Sequence, residues 1–188
     1  MDKFYTQKGD DGYTGRLGKG RLPKNHQIIE AIGTIDEASA ALGMARAQSQ
    51  MKDIVDLLLE VQRDLYHMMA ELSAPKENAS KFRVIDGDRL TWLEDKIGSI
   101  SASIESPREF IVPGDSITGA TLALARNIVR RAERRVAELH LAGEIENQKI
   151  MPYLNRLSSL CFVLEFQENQ SNHSPDLSWA KKSAEQNS

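Results

Sequence analysis

The sequence has little cysteine and no long apolar run, and each shortage excludes a class of protein. Its 188 residues include a single cysteine, so no disulfide can form within the chain and a disulfide-stapled secreted scaffold is excluded. No apolar run approaches the roughly 20 residues that a membrane-spanning helix needs. The N-terminal residues do not form the apolar segment of a secretory signal. We therefore expect a cytoplasmic protein without a membrane partner.

An excess of positive charge is also missing. The chain has 24 Lys and Arg against 27 Asp and Glu, a formal net charge of −3, and its pI is about 5.8. This balance argues against general binding to nucleic acid, and no nucleic-acid-binding motif appears. The composition is 40% hydrophobic and 27% charged, as in a globular domain with a sizeable core. Cys161 lies in an apolar helical run, which predicts a buried core thiol rather than a nucleophile.

Positive charge is nevertheless concentrated between Arg126 and Arg135, where five of ten residues are arginine. Apolar residues recur around this stretch with helical spacing, so we predict a helix that carries Arg126, Arg130 and Arg134 on one face. Guanidinium is a planar fork that binds phosphate in two places, and a row of such groups could hold a polyphosphate. The alternative is a solvated, salt-bridged helix face.

Residues 1–25 differ from the rest because five glycines fall between residues 9 and 20. So much glycine excludes a stable helix, and it lets backbone amides approach a ligand closely. Lys8, Lys19, Arg21 and Lys24 add positive charge, so this segment can cradle phosphates although it has no Walker A motif. The alternative is a frayed N-terminus.

Helical spacing of apolar residues elsewhere predicts an all-α fold. It recurs at about residues 27–47, 52–73, 86–100, 117–140 and 148–167. Asp86 or Asp88 can cap the third helix and Ser116 the fourth. We predict a single-domain five-helix bundle over residues 26–168, with an extended N-terminal segment before it and a disordered polar tail at 169–188. Residues 74–85 read as a loop, and no strand pair is predicted.

Several motifs follow one another in a specific order. They are Tyr5-Thr6-x-x-Gly9-Asp10-x-Gly12-x-Thr14 with Pro23-Lys24; Gly33-Thr34-x-Asp36-Glu37; Phe110-x-x-Pro113-Gly114; and Arg126-x-x-x-Arg130-Arg131-Ala132-Glu133-Arg134 with Tyr153-Leu154-Asn155-Arg156-Leu157-Ser158. Together, over about residues 4–166, they resemble the PduO-type ATP:cob(I)alamin adenosyltransferases.

The resemblance implies a function and an assembly. Members transfer the 5′-deoxyadenosyl group of ATP to cob(I)alamin and are usually homotrimers with active sites between subunits. The positions that match the family's nucleotide loop are Thr6, Gln7, Lys8, Gly9, Thr14, Gly15 and Lys24. The positions that match nucleotide contacts on the adjoining subunit are Arg130, Arg131, Ala132, Glu133, Arg134 and Asn155.

The resemblance also assigns the corrin side of the site. Asp36 and Arg126 match an ion pair near the corrin, and Phe110 matches an aromatic residue beneath the ring. Mg²⁺ accompanies the triphosphate, with no metal site built by the protein itself. Two stretches depart from the usual pattern: Ala38-Ser39-Ala40 stands where Leu-Asn-Ser is common, and Asp115 replaces a second glycine after Gly114.

The chemistry implied needs no protein nucleophile. Cobalt(I) attacks the 5′ carbon of ATP itself, so the protein supplies positioning and stabilisation of the leaving triphosphate. A reductase and an adenosylcobalamin-dependent acceptor enzyme are the expected further partners. The alternative function is an ATP- or cobalamin-binding chaperone or sensor of the same fold that does not catalyse transfer. A nucleic-acid binder that uses the arginine face is a weaker third interpretation.

Overall fold

Five long helices form a bundle in the computed structural model, which describes residues 5–104, 109, 111–171 and 177–181. The long helices are α1 (Gln27–Gln48), α2 (Lys52–Ser73), α4 (Gly87–Ser101), α5 (Ile117–Leu141) and α6 (Ile150–Ser171). A one-turn helix, α3 (Lys76–Ala79), and a 3-10 turn, Ser80–Phe82, link α2 to α4. The predicted all-α bundle is confirmed, and the predicted helix ends differ by at most four residues.

Side-chain caps explain where three of these helices begin. The imidazole of His26 accepts a hydrogen bond from the Ile28 amide at the start of α1. Asp86 rather than Asp88 caps α4, and the Ser116 hydroxyl accepts from the Gly119 amide at the start of α5, as predicted. Each cap satisfies an amide that has no partner within its helix and is worth about 1 kcal/mol.

The core lies between α1, α5 and α6. Helix α5 packs against both of the others, α2 packs against α1, and α4 packs against α6. Fully buried side chains on facing stripes include Leu42, Leu58, Val129 and Leu157, each of which stabilises the fold by about 1.5–3 kcal/mol through burial. The Cys161 thiol is also fully buried, and burial raises its pKa to about 12. The predicted role of Cys161 as a core residue is confirmed.

Two predictions about the fold were wrong. Residues Tyr13–Gly15 (β1) and Arg21–Pro23 (β2) form an antiparallel hairpin with Thr14 opposite Leu22, although the sequence predicted no strand pair. Three-residue strands with mostly exposed side chains leave no alternating apolar pattern to recognise. Residues 74–85 were predicted as a loop, but Pro75 starts the helical turn α3, because its fixed φ suits a helix start.

Buried polar groups connect the helices across the core. The Asp64 carboxylate on α2, 2% exposed, accepts hydrogen bonds from Arg89 on α4 and from the Tyr153 hydroxyl on α6. The Arg89 guanidinium also stacks on the Trp92 ring at 3.6 Å. Removing one partner would leave a buried charge without compensation, so this network fixes how α2, α4 and α6 pack. Among the described residues, no helix is both long and apolar enough to cross a membrane.

Candidate active site

The N-terminal hairpin folds around a cleft of about 470 Å³. The cleft is lined by Thr6, Lys8, Gly9, Tyr13, Thr14, Gly15, Arg21 and Lys24. Six of the seven predicted nucleotide-loop residues therefore come together in one concave surface. The seventh, Gln7, lies between two of them and adopts a positive φ of 59°, which turns the loop. The structure brings together the positions that the motif predicted, although they are spread over 19 residues of sequence.

The side chain of Lys24 lies against the backbone of Gly9. A Cβ at Gly9 would stand 3.1 Å from Lys24 Nζ, tighter than most real contacts, and at an ordinary 3.5 Å from the Tyr13 carbonyl oxygen, so a larger residue would displace the flexible end of Lys24. The Lys24 amide donates to the Gly12 carbonyl at 2.9 Å, which ties the end of the hairpin to the loop. Among the described residues, Lys24 has no carboxylate partner. Its ammonium group is therefore a free cation at the edge of the cleft.

Arg21 builds the loop rather than offering its charge to a ligand. Its guanidinium contacts both oxygens of Asp11, at 2.8 and 2.6 Å, and donates to the carbonyls of Lys8 and Tyr13. The hydrogen bond from Arg21 holds the pKa of Asp11 below its usual value. The sequence marked Arg21 only as one of several basic residues, because nothing local distinguishes a structural arginine from a ligand-binding one.

Arg16 fastens the hairpin to the bundle, and sequence reasoning missed it. Its Nε donates to the Ser73 carbonyl at 3.1 Å and its Nη2 to the Ala74 carbonyl at 2.8 Å. These carbonyls end α2, where the helix dipole favours a cation and carbonyl groups need partners. The Leu17 amide adds bonds to the Ser73 carbonyl and hydroxyl. The position of the cleft therefore depends on the C-terminus of α2.

The arginines between Arg126 and Arg135 on α5, the arginine ladder, include both free and paired side chains. Arg130, Arg131 and Arg134 are exposed, whereas Ala132 is fully buried against the core. Arg131 forms an ion pair with Glu37 on α1, and Arg135 pairs with Glu138 in the next turn at 3.2 Å. Arg130 and Arg134 make no ion pair or hydrogen bond with other described residues. Two free guanidinium groups, one turn apart, therefore face solvent.

Asn155 and Glu133, which were both predicted to contact the nucleotide, meet across the α5–α6 interface. Asn155 Nδ2 donates to Glu133 Oε1 at 3.0 Å, and Arg156 donates to the Asn155 side-chain oxygen at 2.9 Å. Arg156 is held in turn by Glu94 on α4 at 3.0 Å. This chain of contacts orients the Asn155 amide beside the arginine ladder. Glu133 and Asn155, two of the predicted nucleotide contacts, thus lie side by side at the α5–α6 interface.

The predicted pair between Asp36 and Arg126 does not form within this chain. Asp36 is exposed and makes no ion pair with any described residue, so the ion pair implied by the resemblance is absent from the single chain. Arg126 is half-buried and lies over the Phe162 ring, 5.5 Å from its centroid. The next residue on α1, Glu37, is the one that faces α5, where it binds Arg131. Phe110 lies outside the described residues.

The cleft and the arginine ladder are two separate surfaces in the single chain. The cleft is lined by residues of the N-terminal segment alone, and no residue of α5 belongs to it. Both surfaces carry unpaired cations, Lys24 on one and Arg130 with Arg134 on the other. The structure is therefore a five-helix bundle that carries a glycine-rich N-terminal cleft and, apart from it, an arginine-rich face on α5.

The chain belongs to the cobalamin adenosyltransferase family, whose profile matches residues 4–168. It is 35% identical over 176 residues to the corrinoid adenosyltransferase PduO of Salmonella typhimurium, a match that covers 93% of this chain and 52% of that protein. It is 35% identical over 184 residues to the cobalamin adenosyltransferase of Cupriavidus metallidurans, covering 97% and 96%. The chain thus spans about half of the Salmonella protein and nearly all of the Cupriavidus protein.

Solved structures give the same result. A variant PduO-type ATP:corrinoid adenosyltransferase from Lactobacillus reuteri, complexed with cobalamin and ATP, superposes with a TM-score of 0.86 at 29% identity, covering 96% of this chain and 98% of that chain. Another variant of that protein, complexed with ATP, gives a TM-score of 0.82 at 27% identity, covering 95% of this chain and 100% of that chain. The resemblance inferred from the motifs is confirmed.

Proposed function

We propose that the protein transfers the 5′-deoxyadenosyl group of ATP to cob(I)alamin, forming adenosylcobalamin and releasing triphosphate. The observation that carries this proposal is the pair of free guanidinium groups, Arg130 and Arg134, beside the Glu133–Asn155 contact on the surface of α5 and α6. Membership of the family indicates the reaction, and these guanidinium groups provide the positive charge that the leaving triphosphate requires. Triphosphate is a polyanion, and guanidinium groups bind its oxygens in pairs.

The bond changes place few demands on the protein. Cobalt(I) supplies the electron pair for the new cobalt–carbon bond, the bond between the 5′ carbon and oxygen breaks, and triphosphate leaves with that electron pair. No side chain has to act as a nucleophile, and Cys161, with its pKa raised to about 12 in the core, could not. The chain's residues instead hold ATP in line with the metal and stabilise charge on the departing oxygen.

The ATP half of the site consists of the cleft together with the ladder. Backbone amides around Gly9 and Gly15 line the cleft and can donate to phosphate oxygens, as in other anion-binding loops. Lys8 and Lys24 add charge, and Thr6, Gln7 and Thr14 add polar side chains. Arg130, Arg131 and Arg134 then approach the triphosphate from α5, with Glu133 and Asn155 beside them. Ala132, which is fully buried, acts only by holding this turn of the helix against the core.

Because the cleft and the ladder are apart in one chain, we propose that they meet between neighbouring subunits of a homotrimer. A ring of three subunits brings the loop of each chain to the α5 helix of the next. The exposed apolar side chains of Ile117 and Leu124, 77% and 53% exposed on α5, are consistent with burial in such an assembly.

The corrin half of the site is proposed at the start of α5. Arg126 and Asp36 are its charged residues, and their pairing would have to join two subunits because it does not form within one. Phe110 precedes Ile111 in the segment that leads to α5, and we propose that its ring lies beneath the corrin and excludes axial ligands. A four-coordinate cobalt(II) centre accepts an electron more easily than one with an axial donor.

Magnesium is proposed as a companion of ATP rather than an ion held by the protein. In the described part of the chain, no group of three or more His, Cys, Asp or Glu side chains could hold a metal. Mg²⁺ is commonly bound by substrate phosphates with few protein ligands. We further propose a cytoplasmic location, a reductase that supplies cobalt(I), and an acceptor enzyme that uses adenosylcobalamin.

An anaerobic assay tests the function directly. Purified protein is mixed with ATP, Mg²⁺ and chemically reduced cob(I)alamin, and the absorbance spectrum is followed for the cobalt–carbon product. Formation of adenosylcobalamin with stoichiometric triphosphate is the expected result. A non-catalytic ATP/cobalamin-binding chaperone or sensor remains the second candidate, favoured by Asp115 and by Ala38-Ser39-Ala40 at positions where the family usually differs. Tight binding of both substrates with no new cobalt–carbon bond would select that candidate.

A further inference from the structure

Glu165 is a buried carboxylate that no part of the proposed reaction uses. It lies on α6 with 2% of its surface exposed, and its Oε1 atom has no hydrogen-bond partner among the described residues. An unpartnered buried carboxylate oxygen is costly, because it has lost its contacts with water and gained none from the protein. Such a group in a folded protein calls for a physical reason.

The surroundings of Glu165 connect it to Arg126. Phe162 lies three residues earlier on α6 and therefore on the same side of the helix. The Arg126 guanidinium lies over the Phe162 ring at 5.5 Å, and its charge acts on Glu165. Glu165 and Arg126 are thus neighbours at the α5–α6 interface, yet no nitrogen–oxygen distance between them falls within ion-pair range.

A second acid faces the same place from the segment before α5. Asp115 is half-buried, and its Oδ2 accepts a hydrogen bond from the Ser178 amide at 2.9 Å. Of the described residues, Arg126 on α5, Asp115 before it and Cys161 on α6 itself are the titratable groups that interact with Glu165. The Arg126 guanidinium is therefore close to two acids. Glu165 is buried and its Oε1 has no hydrogen-bond partner among the described residues, whereas Asp115 is half-buried and already accepts a hydrogen bond.

The protonation state of Glu165 changes near neutral pH. Burial raises the pKa of its carboxyl to about 7; the positive charge of Arg126 opposes this shift, and the negative charge of Asp115 adds to it. In its neutral form Glu165 has no net attraction for Arg126. In its ionised form it is a buried anion, and the nearest compensating cation is that guanidinium.

We propose that Glu165 is a positioning residue for Arg126, which leaves the guanidinium free on the Phe162 ring when neutral and draws it towards α6 when ionised. The proposal rests on the proposed function in one respect, the role of Arg126 on the corrin side of the site. Neutral Glu165 makes Arg126 available to the corrin side, so corrin binding should be tighter below the titration midpoint than above it. Affinity for ATP, which is bound by other residues, should not follow this change.

The test uses cob(II)inamide, a corrinoid that lacks the titratable nucleotide base. A change in its affinity with pH therefore cannot come from protonation of that base. Its dissociation constant is measured with ATP present, between about pH 6 and about pH 8. If binding needs the neutral form, affinity falls up to about tenfold for each pH unit above the midpoint. Glu165→Gln, which mimics the neutral form, should bind equally well across the range. Asp115→Asn should shift the wild-type profile to lower pH, because Asp115 raises the pKa of Glu165.

Two outcomes would overturn the proposal. One is a Glu165→Gln protein that keeps the wild-type pH profile, and the other is a change in ATP affinity that parallels the change in corrin affinity. This binding measurement does not require transfer activity, and absence of the proposed corrin site is distinguishable, because cob(II)inamide would then bind at no pH. In that case the ligand-free protein decides: carboxyl carbon and guanidinium nitrogen NMR signals of Glu165 and Arg126 should titrate together near neutral pH. Separate or absent titration would reject the coupling.

Discussion

At the scale of single residues, Arg130 is the side chain that we propose to contact the triphosphate. Its side chain is exposed in the middle of α5 and unpaired among the described residues, whereas Arg131 and Arg135 on the same helix are paired. The sequence predicted a helix with Arg126, Arg130 and Arg134 on one face, and helical spacing was sufficient for that. Spacing could not show which guanidinium groups are already neutralised, because their partners Glu37 and Glu138 depend on packing and rotamers.

Replacing Arg130 by Lys should lower turnover by at least about tenfold, because the charge remains but the two-pronged contact is lost and a charge-assisted hydrogen bond is worth about 1.5–3 kcal/mol. Steady-state rates with saturating cob(I)alamin measure the effect. The matched control is Arg135→Lys, since Arg135 is exposed on the same helix but paired with Glu138. Equal, near-wild-type rates for both variants would remove Arg130 from the site.

Glu165 should also make the stability of the protein depend on pH. Its folded-state pKa of about 7 lies above the reference value of 4.5. The folded state therefore holds the proton more tightly than the unfolded state, and stability falls as pH rises from about 4.5 to about 7. Glu165→Gln should consequently be more stable than the wild type at about pH 8, by at most about 3.4 kcal/mol.

That difference should disappear below about pH 4.5, where the carboxyl is neutral in both states. Urea unfolding at several pH values measures it. A variant equally destabilised at every pH would show that Glu165 contributes by packing alone. The sequence did contain a signal for this residue, a single acid between Phe162 and Phe166 in an apolar helical run, but its burial could not be known without the packing of α5.

The elements show where sequence reasoning succeeds and where it stops. Helices α1, α2, α4, α5 and α6 were predictable because each repeats an apolar stripe over four or more turns and three begin at side-chain caps. The hairpin was not, because its strands are three residues long and are held by Arg21 and by backbone contacts rather than by a buried face. The expected ion pair between Asp36 and Arg126 is also absent from the single chain. Sequence spacing cannot show which residues of α1 and α5 face each other, and it is Glu37 that binds α5, through Arg131.

The anchoring of the hairpin on α2 gives an element-scale prediction. Arg16 donates to the carbonyls of Ser73 and Ala74 at the end of α2, so Arg16→Ala should free the hairpin and raise the KM for ATP several-fold. The turnover number at saturating ATP and the affinity for corrinoid should change little, because neither involves the hairpin's anchor. Arg16→Lys, which can still reach one carbonyl, should recover part of the ATP affinity.

The comparison with a surface arginine separates positioning from charge. Arg63 is exposed and paired with Glu60 one turn away on α2, so Arg63→Ala removes the same charge from α2 itself without touching the hairpin. An equal rise in KM for both variants would mean that net charge, not anchoring, is responsible. A loss of thermal stability without any change in KM would make Arg16 a purely structural residue.

At the scale of the whole molecule, the two surfaces that we propose to bind ATP are separate in one chain. The cleft is lined only by the N-terminal segment, and the free arginines are on α5. The motifs predicted both surfaces from sequence, and the fold confirms that each is built from residues that come together in space. Neither the sequence nor the single chain contains the contact that would join them, and we propose that this contact is made between subunits. The central claim is therefore that ATP is bound where the loop of one subunit meets the arginine helix of another.

Mixing two inactive proteins tests that claim most directly. Lys24→Ala removes one cation of the cleft, and Arg130→Ala removes one of the two free guanidinium groups of the ladder, so each homotrimer should be nearly inactive. After subunit exchange in equal amounts, about a quarter of the shared sites should carry neither lesion. Adenosylcobalamin formation should then rise to about a quarter of the wild-type rate. If exchange is verified by mass spectrometry and activity remains at the level of the separate variants, cleft and ladder do not form a site between subunits.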